Sequence, residues 1–372
     1  MRTLLFGVLA LATYTWWTVL PTNVDANLRG VAAVVRRNGT TLWATGSEGT
    51  VLRSTDGGQS WSPVHIQGGE ALDFRGVQTF DGKTIYVVSS GEGEQSRIYR
   101  SNDSGDHWEL DYTDKRKSFF LDALACSDER HCFALSDPVE GKFLLLSTTD
   151  GTHWKELPRE HMPEALPKEG AFAASNSCLL LYDKAEIYFV TGGGAARVFH
   201  SSDLGQTWTA SVTPMPSGKA TLGIFSIVRA GDTLVVVGGD YGEPGDGRKT
   251  AAYSDDEGET WHLAEQMPTG YRSSVDTFDA GFVTVGPNGA ETSRDGMRWT
   301  HMDSPALNAI TFISGKGWAV GPKGLVAQFV DQTEYSSEGS QGRYGGTCDL
   351  SAHSRPDHVK SEHVNAASSS GL

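Results

Sequence analysis

The chain has 372 residues, 38% apolar and 21% charged, with 44 glycines and a formal net charge of −15. That length supports a sizeable core or two domains, and short β-rich runs between Gly/Asp/Ser turns point to an all-β class. The acid excess, with no Arg/Lys stripe to offset it, excludes a nucleic-acid partner held through its phosphates.

Met1-Arg2 and the apolar run Leu4 to Ala12, ending Ala10-Leu11-Ala12, have the form of an export signal over residues 1–12. A second cleavage pattern is Val24-Asp25-Ala26. No other run approaches membrane-spanning length. The expectation is an extracytoplasmic protein, periplasmic or secreted, monomeric and not inserted in a membrane once the signal is removed.

Beyond the signal, one octet organises the chain. Ser54-Thr55-Asp56-Gly57-Gly58-Gln59-Ser60-Trp61 returns at Ser101–Trp108 around Asp103, at Ser201–Trp208 around Asp203 and at Ser254–Trp261 around Asp256. Thr148–Trp154 around Asp150 and Ser293–Trp299 around Asp295 are one residue shorter. A Ser or Asp at the head of a turn bonds the N–H groups just ahead of it. The glycine supplies a positive φ, and the Trp covers the turn while its indole N–H seeks an acceptor. All six aspartates therefore take structural roles. One carboxylate per turn is far short of the oxygens a calcium site needs.

Each octet closes a unit of about four short strands, and successive octet tryptophans lie 38 to 54 residues apart, the period of propeller blades. Repeats run from Leu28, Leu72, Phe119, Glu169, Thr221 and Tyr271. A seventh unit, Ala306 to Phe329, has three strands and no octet. Trp16–Leu20, an outer strand without a blade, supplies the missing fourth. The expected fold over residues 13–330 is a seven-bladed β-propeller of four-stranded antiparallel blades, its ring closed by an N-terminal strand, which removes exposed sheet edges. Retaining that strand favours cleavage after Ala12.

Residues 331–372 are rich in Ser, Gly, His and Glu and are expected to be a disordered tail. His353, His358 and His363 recur every five residues there, a spacing open to metal, but a solvated low-complexity tail is the plainer reading. Cys348 lies in the same tail. Cys126 and Cys132 flank a turn and either bridge two strands or remain free thiols, while Cys178 is a small buried residue. No metal and no cofactor is expected.

The first strand of each blade lines the channel. Two residues before its apolar centre stand Arg29, Arg75, Asp122, Gly170, Gly223 and Asn308; in the sixth blade Arg272 lies three before Val275. Charge there is unexpected for core packing. Glu169 and Tyr241 fall at the same level. Arg29, Arg75, Arg272 and Asn308 are accordingly candidates for ligand or partner binding, with arginine suited to a carboxylate.

The octet is similar to the Asp-box (BNR) repeat of sialidases and several non-enzymatic propellers, in which it is structural. Sialidase resemblance implies Asp122 as acid, Tyr241 as nucleophile, Glu169 as its base and the three arginines as a clamp on an acidic glycan. The Arg-Ile-Pro motif of that family is missing; its nearest counterparts are Leu28-Arg29-Gly30-Val31 and Phe74-Arg75-Gly76-Val77. A second resemblance rests on Gly317-Trp318-Ala319-Val320-Gly321 through Leu325, and on Gly49 to Trp61. These look like the photosystem II stability/assembly factor family, which implies an exported seven-bladed propeller that binds a protein partner through an arginine patch and catalyses nothing known. The leading expectation is such a scaffold; the alternative is an exo-glycosidase of sialidase type.

Overall fold

The structure, a computed structural model, describes residues 15–330 apart from 184 and 280. The signal-like residues 1–12, residues 331–372 with their histidines, and Cys348 lie outside the described residues. Seven sheets follow one another around a channel. Blade 1 comprises Leu28–Arg36, Gly39–Gly46, Val51–Ser54 and Ser62–Pro63. Blade 2 comprises Phe74–Thr79, Ile85–Ser89, Arg97–Ser101 and Glu109–Thr113. Blade 3 comprises Leu121–Cys126, Cys132–Val139, Lys142–Thr148 and Lys155–Glu156. Blade 4 comprises Leu179–Tyr182, Glu186–Val190, Arg197–Ser201 and Thr209–Val212. Blade 5 comprises Leu222–Ala230, Thr233–Asp240, Ala251–Ser254 and His262–Leu263. Blade 6 comprises Ser274–Phe278, Gly281–Gly286, Gly289–Ser293 and Thr300–Met302.

Blade 7 is assembled from both ends of the described chain. Ala309–Ile313, Lys316–Val320 and Val326–Phe329 are joined by Trp17–Leu20, with Trp17 opposite Phe329 and Leu20 opposite Val326. This is the closure expected from the missing octet.

Burial across a blade explains its sequence. Second strands such as Ile85–Ser89 and Gly281–Gly286 are buried on both faces, because the sheets on either side cover them. They therefore carry continuous apolar runs rather than alternation. Outermost strands such as Lys155–Glu156 are exposed and polar.

The octets join the third and fourth strands, at the end of the blade where the innermost strand finishes. In blade 5, Ser254 Oγ donates to Asp256 at 2.7 Å and accepts from Gly258 N at 2.9 Å. Asp256 takes the N–H and hydroxyl of Thr260, and Trp261 Nε1 donates to the Gly258 carbonyl at 3.1 Å. The same bonds recur around Asp56 and Asp203, and around Asp103 with the His107 imidazole in place of the hydroxyl. The shorter turns keep the Asp150 and Asp295 bonds. Gly105, at φ +87°, shows why a side chain is excluded. A Cβ there would lie 2.4 Å from the Trp43 ring of the preceding blade.

Blade 4 departs from the sequence reading. Its innermost strand is Leu179–Tyr182, not the segment around Gly170. The apolar run Cys178 to Tyr182 pairs with Glu186–Val190, and Cys178 is fully buried. Glu169–Gly170 instead pairs with Gly192–Gly193, which joins the edge of blade 5 through Gly223. Two of the three consecutive glycines at 192–194 are thus strand. Cys126 and Cys132 stand directly opposite in the first hairpin of blade 3 and are joined by a disulfide, with Cα atoms 4.0 Å apart.

Candidate functional site

Four innermost strands carry a bulge near their start. Pairing slips by one between Leu28 and Gly30, Phe74 and Gly76, Leu121 and Ala123, and Ile224 and Ser226. The extra residues are Arg29, Arg75, Asp122 and Phe225. A bulge re-aims its side chain, and the small residue after each one leaves room for the turn of the backbone. The charge pattern seen in sequence is therefore a bulge pattern. Blade 5 contributes Phe225 rather than Gly223. In blade 6 Ser273 faces the mouth, giving its hydroxyl to the Asn308 carbonyl at 2.6 Å.

Across this end of the channel runs a strap, residues 171–177. Arg29 donates to the Ala174 carbonyl at 3.5 Å and Arg75 to that of Ala173 at 3.1 Å. Ala171 N reaches Asp137 at 2.9 Å, and Asn176 caps both backbone groups of Leu124. Ser177 bonds Ser226, and Ser175 donates to the Ser273 carbonyl. A segment that enters blade 4 while touching blades 1, 2, 3, 5 and 6 must cross the axis. Its small residues, Ala173-Ala174-Ser175, are what permit this. Phe172 stacks on Phe225 at 4.0 Å between centroids, with Tyr241 edge-on to both rings and Tyr271 edge-on to Phe225. Phe172 also lies against bare backbone, since a Cβ on Gly192 would come within 2.1 Å of it.

The sequence-derived residues fall into two groups. Glu169 and Arg272 are buried and fully committed. Glu169 meets Arg197 at 2.5 and 2.8 Å, Thr191 Oγ1 at 2.7 Å and Leu166 N at 2.7 Å. Arg272, wholly buried, pairs with Glu291 through two nitrogens and also bonds Asn288, Thr269 and the Tyr271 carbonyl. Asn308 joins blades 7 and 1 by donating to Asn27 and the Leu28 carbonyl.

Arg29, Arg75, Asp122 and Tyr241 stay at the mouth. Arg75 pairs with Asp73 at 2.8 Å. Arg29 forms no ion pair among the described residues, and burial together with the Arg75 charge lowers its pKa. Asp122 is 2% exposed, and neither of its oxygens has a hydrogen-bond partner among the described residues. Burial pushes its pKa well up. Tyr241 is 48% exposed.

A tyrosyl mechanism needs Glu169 beside Tyr241 and Asp122 facing the same space. No hydrogen bond or ion pair joins any two of these three among the described residues, and Glu169 is spent on Arg197. No group of three or more His, Cys, Asp or Glu among the described residues is placed to hold a metal. Sequence reasoning missed Asp137, Phe172, Tyr271 and the strap; the run of small residues from Ala173 to Ser177 was the available signal for the last.

Residues 13–285 match the model of the DUF6242 beta propeller domain. The chain belongs to this family. As a DUF6242 propeller it is 23% identical over 254 residues to the photosystem II assembly lipoprotein Ycf48 of Synechococcus sp. (strain CC9902). That alignment spans 65% of each chain, just under two thirds of the relative's length. The DUF6242 chain also superposes on the solved structure of YCF48 from Cyanidioschyzon merolae, with a TM-score of 0.63 at 16% identity, covering 85% of this chain and 99% of that one. YCF48 bound to a D1 peptide gives 0.62 at 16% identity, covering 86% and 99%. Virginiamycin B lyase from Staphylococcus aureus also gives 0.62, at 13% identity, covering 84% and 97%. A lyase and an assembly factor share this fold equally well, so the fold leaves function to the site.

Proposed function

We propose that this protein is an exported, non-enzymatic scaffold that holds a protein segment across the strap end of its channel. The observation that carries the reading is Arg29, a half-buried guanidinium at the mouth that bonds a backbone carbonyl and, among the described residues, forms no ion pair, with Asp73 acting on it only through its field. A guanidinium so placed favours a carboxylate brought by a partner. Beside it, exposed Tyr241 and half-buried Phe172 offer apolar area at little entropic cost. Support comes from the similar assembly lipoprotein and from the related propeller solved with a peptide bound. Export rests on the signal-like residues 1–12.

The test is selection of a displayed peptide library against the wild type and against Arg29→Glu. Enriched peptides should carry a carboxylate next to an apolar residue and lose binding to the variant. Peptides that bind both proteins equally would move the site elsewhere. Hydrolysis of fluorogenic sialosides or other glycosides, abolished in Asp122→Asn, would overturn the non-enzymatic reading.

A further inference from the structure

A cavity of about 260 Å³ opens at the strap end of blade 5, next along the chain from Tyr241. Leu222 pairs with Asp240 where the innermost strand of that blade begins, so the cavity shares the end of the propeller that carries Arg29. Its lining is of two kinds. Pro216 and Leu222, both half-buried, give it apolar sides. Asp240 is the most deeply buried residue of the lining, with its side chain 7% exposed. Asp240 Oδ1 accepts the Gly242 N–H at 2.8 Å. Oδ2 accepts no hydrogen bond among the described residues, and the Lys219 ammonium stands off from it at 3.9 Å. The same ammonium lies 3.6 Å from Glu243, so it is shared between two carboxylates and bonded closely to neither. Asp246 is satisfied by Arg248, which gives it Nε, Nη2 and its backbone N–H. Lys249 is exposed and forms no ion pair among the described residues.

We propose that this cavity takes the side chain of a lysine or arginine from the partner segment, with its aliphatic stem against Pro216 and Leu222 and its charged head on Asp240 Oδ2. The inference rests on the binding face proposed above and gives that face a second anchor. A long basic side chain is apolar along its stem and charged at its tip, which suits apolar sides and a buried carboxylate. A carboxylate oxygen taken out of water without a donor is a strong acceptor, and a cation that bonds it directly replaces the loose contact with Lys219. Lys219 then turns wholly to Glu243. An anion is disfavoured there, since it would meet the buried Asp240 with Lys219 and Lys249, both exposed, to offset it. The cavity is joined to the mouth by a run of rings. Arg29 has the Tyr271 phenol within its field, Tyr271 lies edge-on to Phe225 at 4.7 Å, and Phe225 to Tyr241 at 6.1 Å. A segment that sets a carboxylate on Arg29 and an apolar residue on Tyr241 therefore brings its next basic side chain to Asp240. The segment so defined reads acidic, apolar, basic.

Fluorescence anisotropy with labelled synthetic peptides tests this on the full chain. Each peptide carries Glu-Leu, a run of alanines and a lysine, in both chain directions, and has a twin with norleucine in place of lysine. The alanines vary from none to about six, since an extended chain advances roughly 3.3 Å per residue and the span from the mouth to the cavity must be matched. Norleucine keeps the stem and removes the charge. At one spacing the lysine peptide should bind about tenfold more tightly than its twin. Asp240→Asn, which keeps an acceptor for the Gly242 N–H, should bring the two together. Lys219→Met removes the resident ammonium and should widen the gap. Equal affinity of the twins at every spacing overturns the basic pocket, as does a gap that survives in Asp240→Asn or narrows in Lys219→Met. Binding of both twins lost in Arg29→Glu, with no gap between them in the wild type, retains the binding face and discards the pocket. A gap that persists while Arg29→Glu leaves both twins bound does the opposite.

Discussion

At the octet turns an aspartate sits in the open, held ionised by groups within a few residues of it. At the mouth an aspartate sits in the interior, where burial outweighs the Arg75 charge that would hold it ionised. Asp56, Asp203 and Asp256 are drawn down to about 2 chiefly by the hydroxyls of Ser60, Thr207 and Thr260, and Asp103 to about 2 by the N–H of His107. Asp122 and Asp137 are pushed the other way by burial. The two regions therefore answer protons in opposite senses. A depressed pKa gives stability that is present above about pH 4 and fades as pH falls toward 2; a raised one gives stability that is present below about pH 4 and fades as pH climbs past 6. The same residue type is a local turn device in one place and a non-local burden in the other.

The contrast can be pressed hardest at the buried pairs. Arg272→Ala leaves Glu291 buried without its cation, and a loss of about 3–5 kcal/mol is expected in urea unfolding. Gly192→Val drives a side chain into Phe172 and should cost about 1–3 kcal/mol, with faster exchange in the strap but not in the octet turns. Ser254→Ala removes the hydroxyl that bridges Asp256 and Gly258. About 1 kcal/mol is expected there, confined to blade 5 and leaving the mouth untouched. The smallest effect belongs to Asp122→Asn. It should raise the unfolding midpoint at pH 8 and leave it unchanged at pH 4, where the native aspartate is already neutral.

What could be seen in the sequence follows the same division. The octet works through bonds spanning four residues or fewer, so its motif carries its geometry. Closure by Trp17–Leu20 was legible because a blade of three strands and a strand without a blade complete one another. The spacing of Arg29, Arg75 and Asp122 was legible because three bulges share one register. Glu169 was misplaced because Gly170-Ala171-Phe172 fits the innermost-strand template as well as Cys178 to Tyr182 does, and only pairing with Glu186–Val190 decides between them. Arg272 took the place of Ser273 for a related reason: its partner Glu291 lies on another strand, and no local pattern announces that pairing. The strap left only its small residues, Ala173-Ala174-Ser175, as a signal, because its bonds run to five blades.

The proposed binding face predicts which end of the propeller meets a partner. A photo-crosslinking amino acid placed at Tyr241 at the strap end, and separately at Leu204 in the octet turn of blade 4 at the opposite end, measures this in one experiment. Adducts to a protein partner at position 241, absent at 204 and lost when Arg29→Glu is added, are the predicted result. Adducts at 204 that equal or exceed those at 241, unaffected by Arg29→Glu, would contradict it.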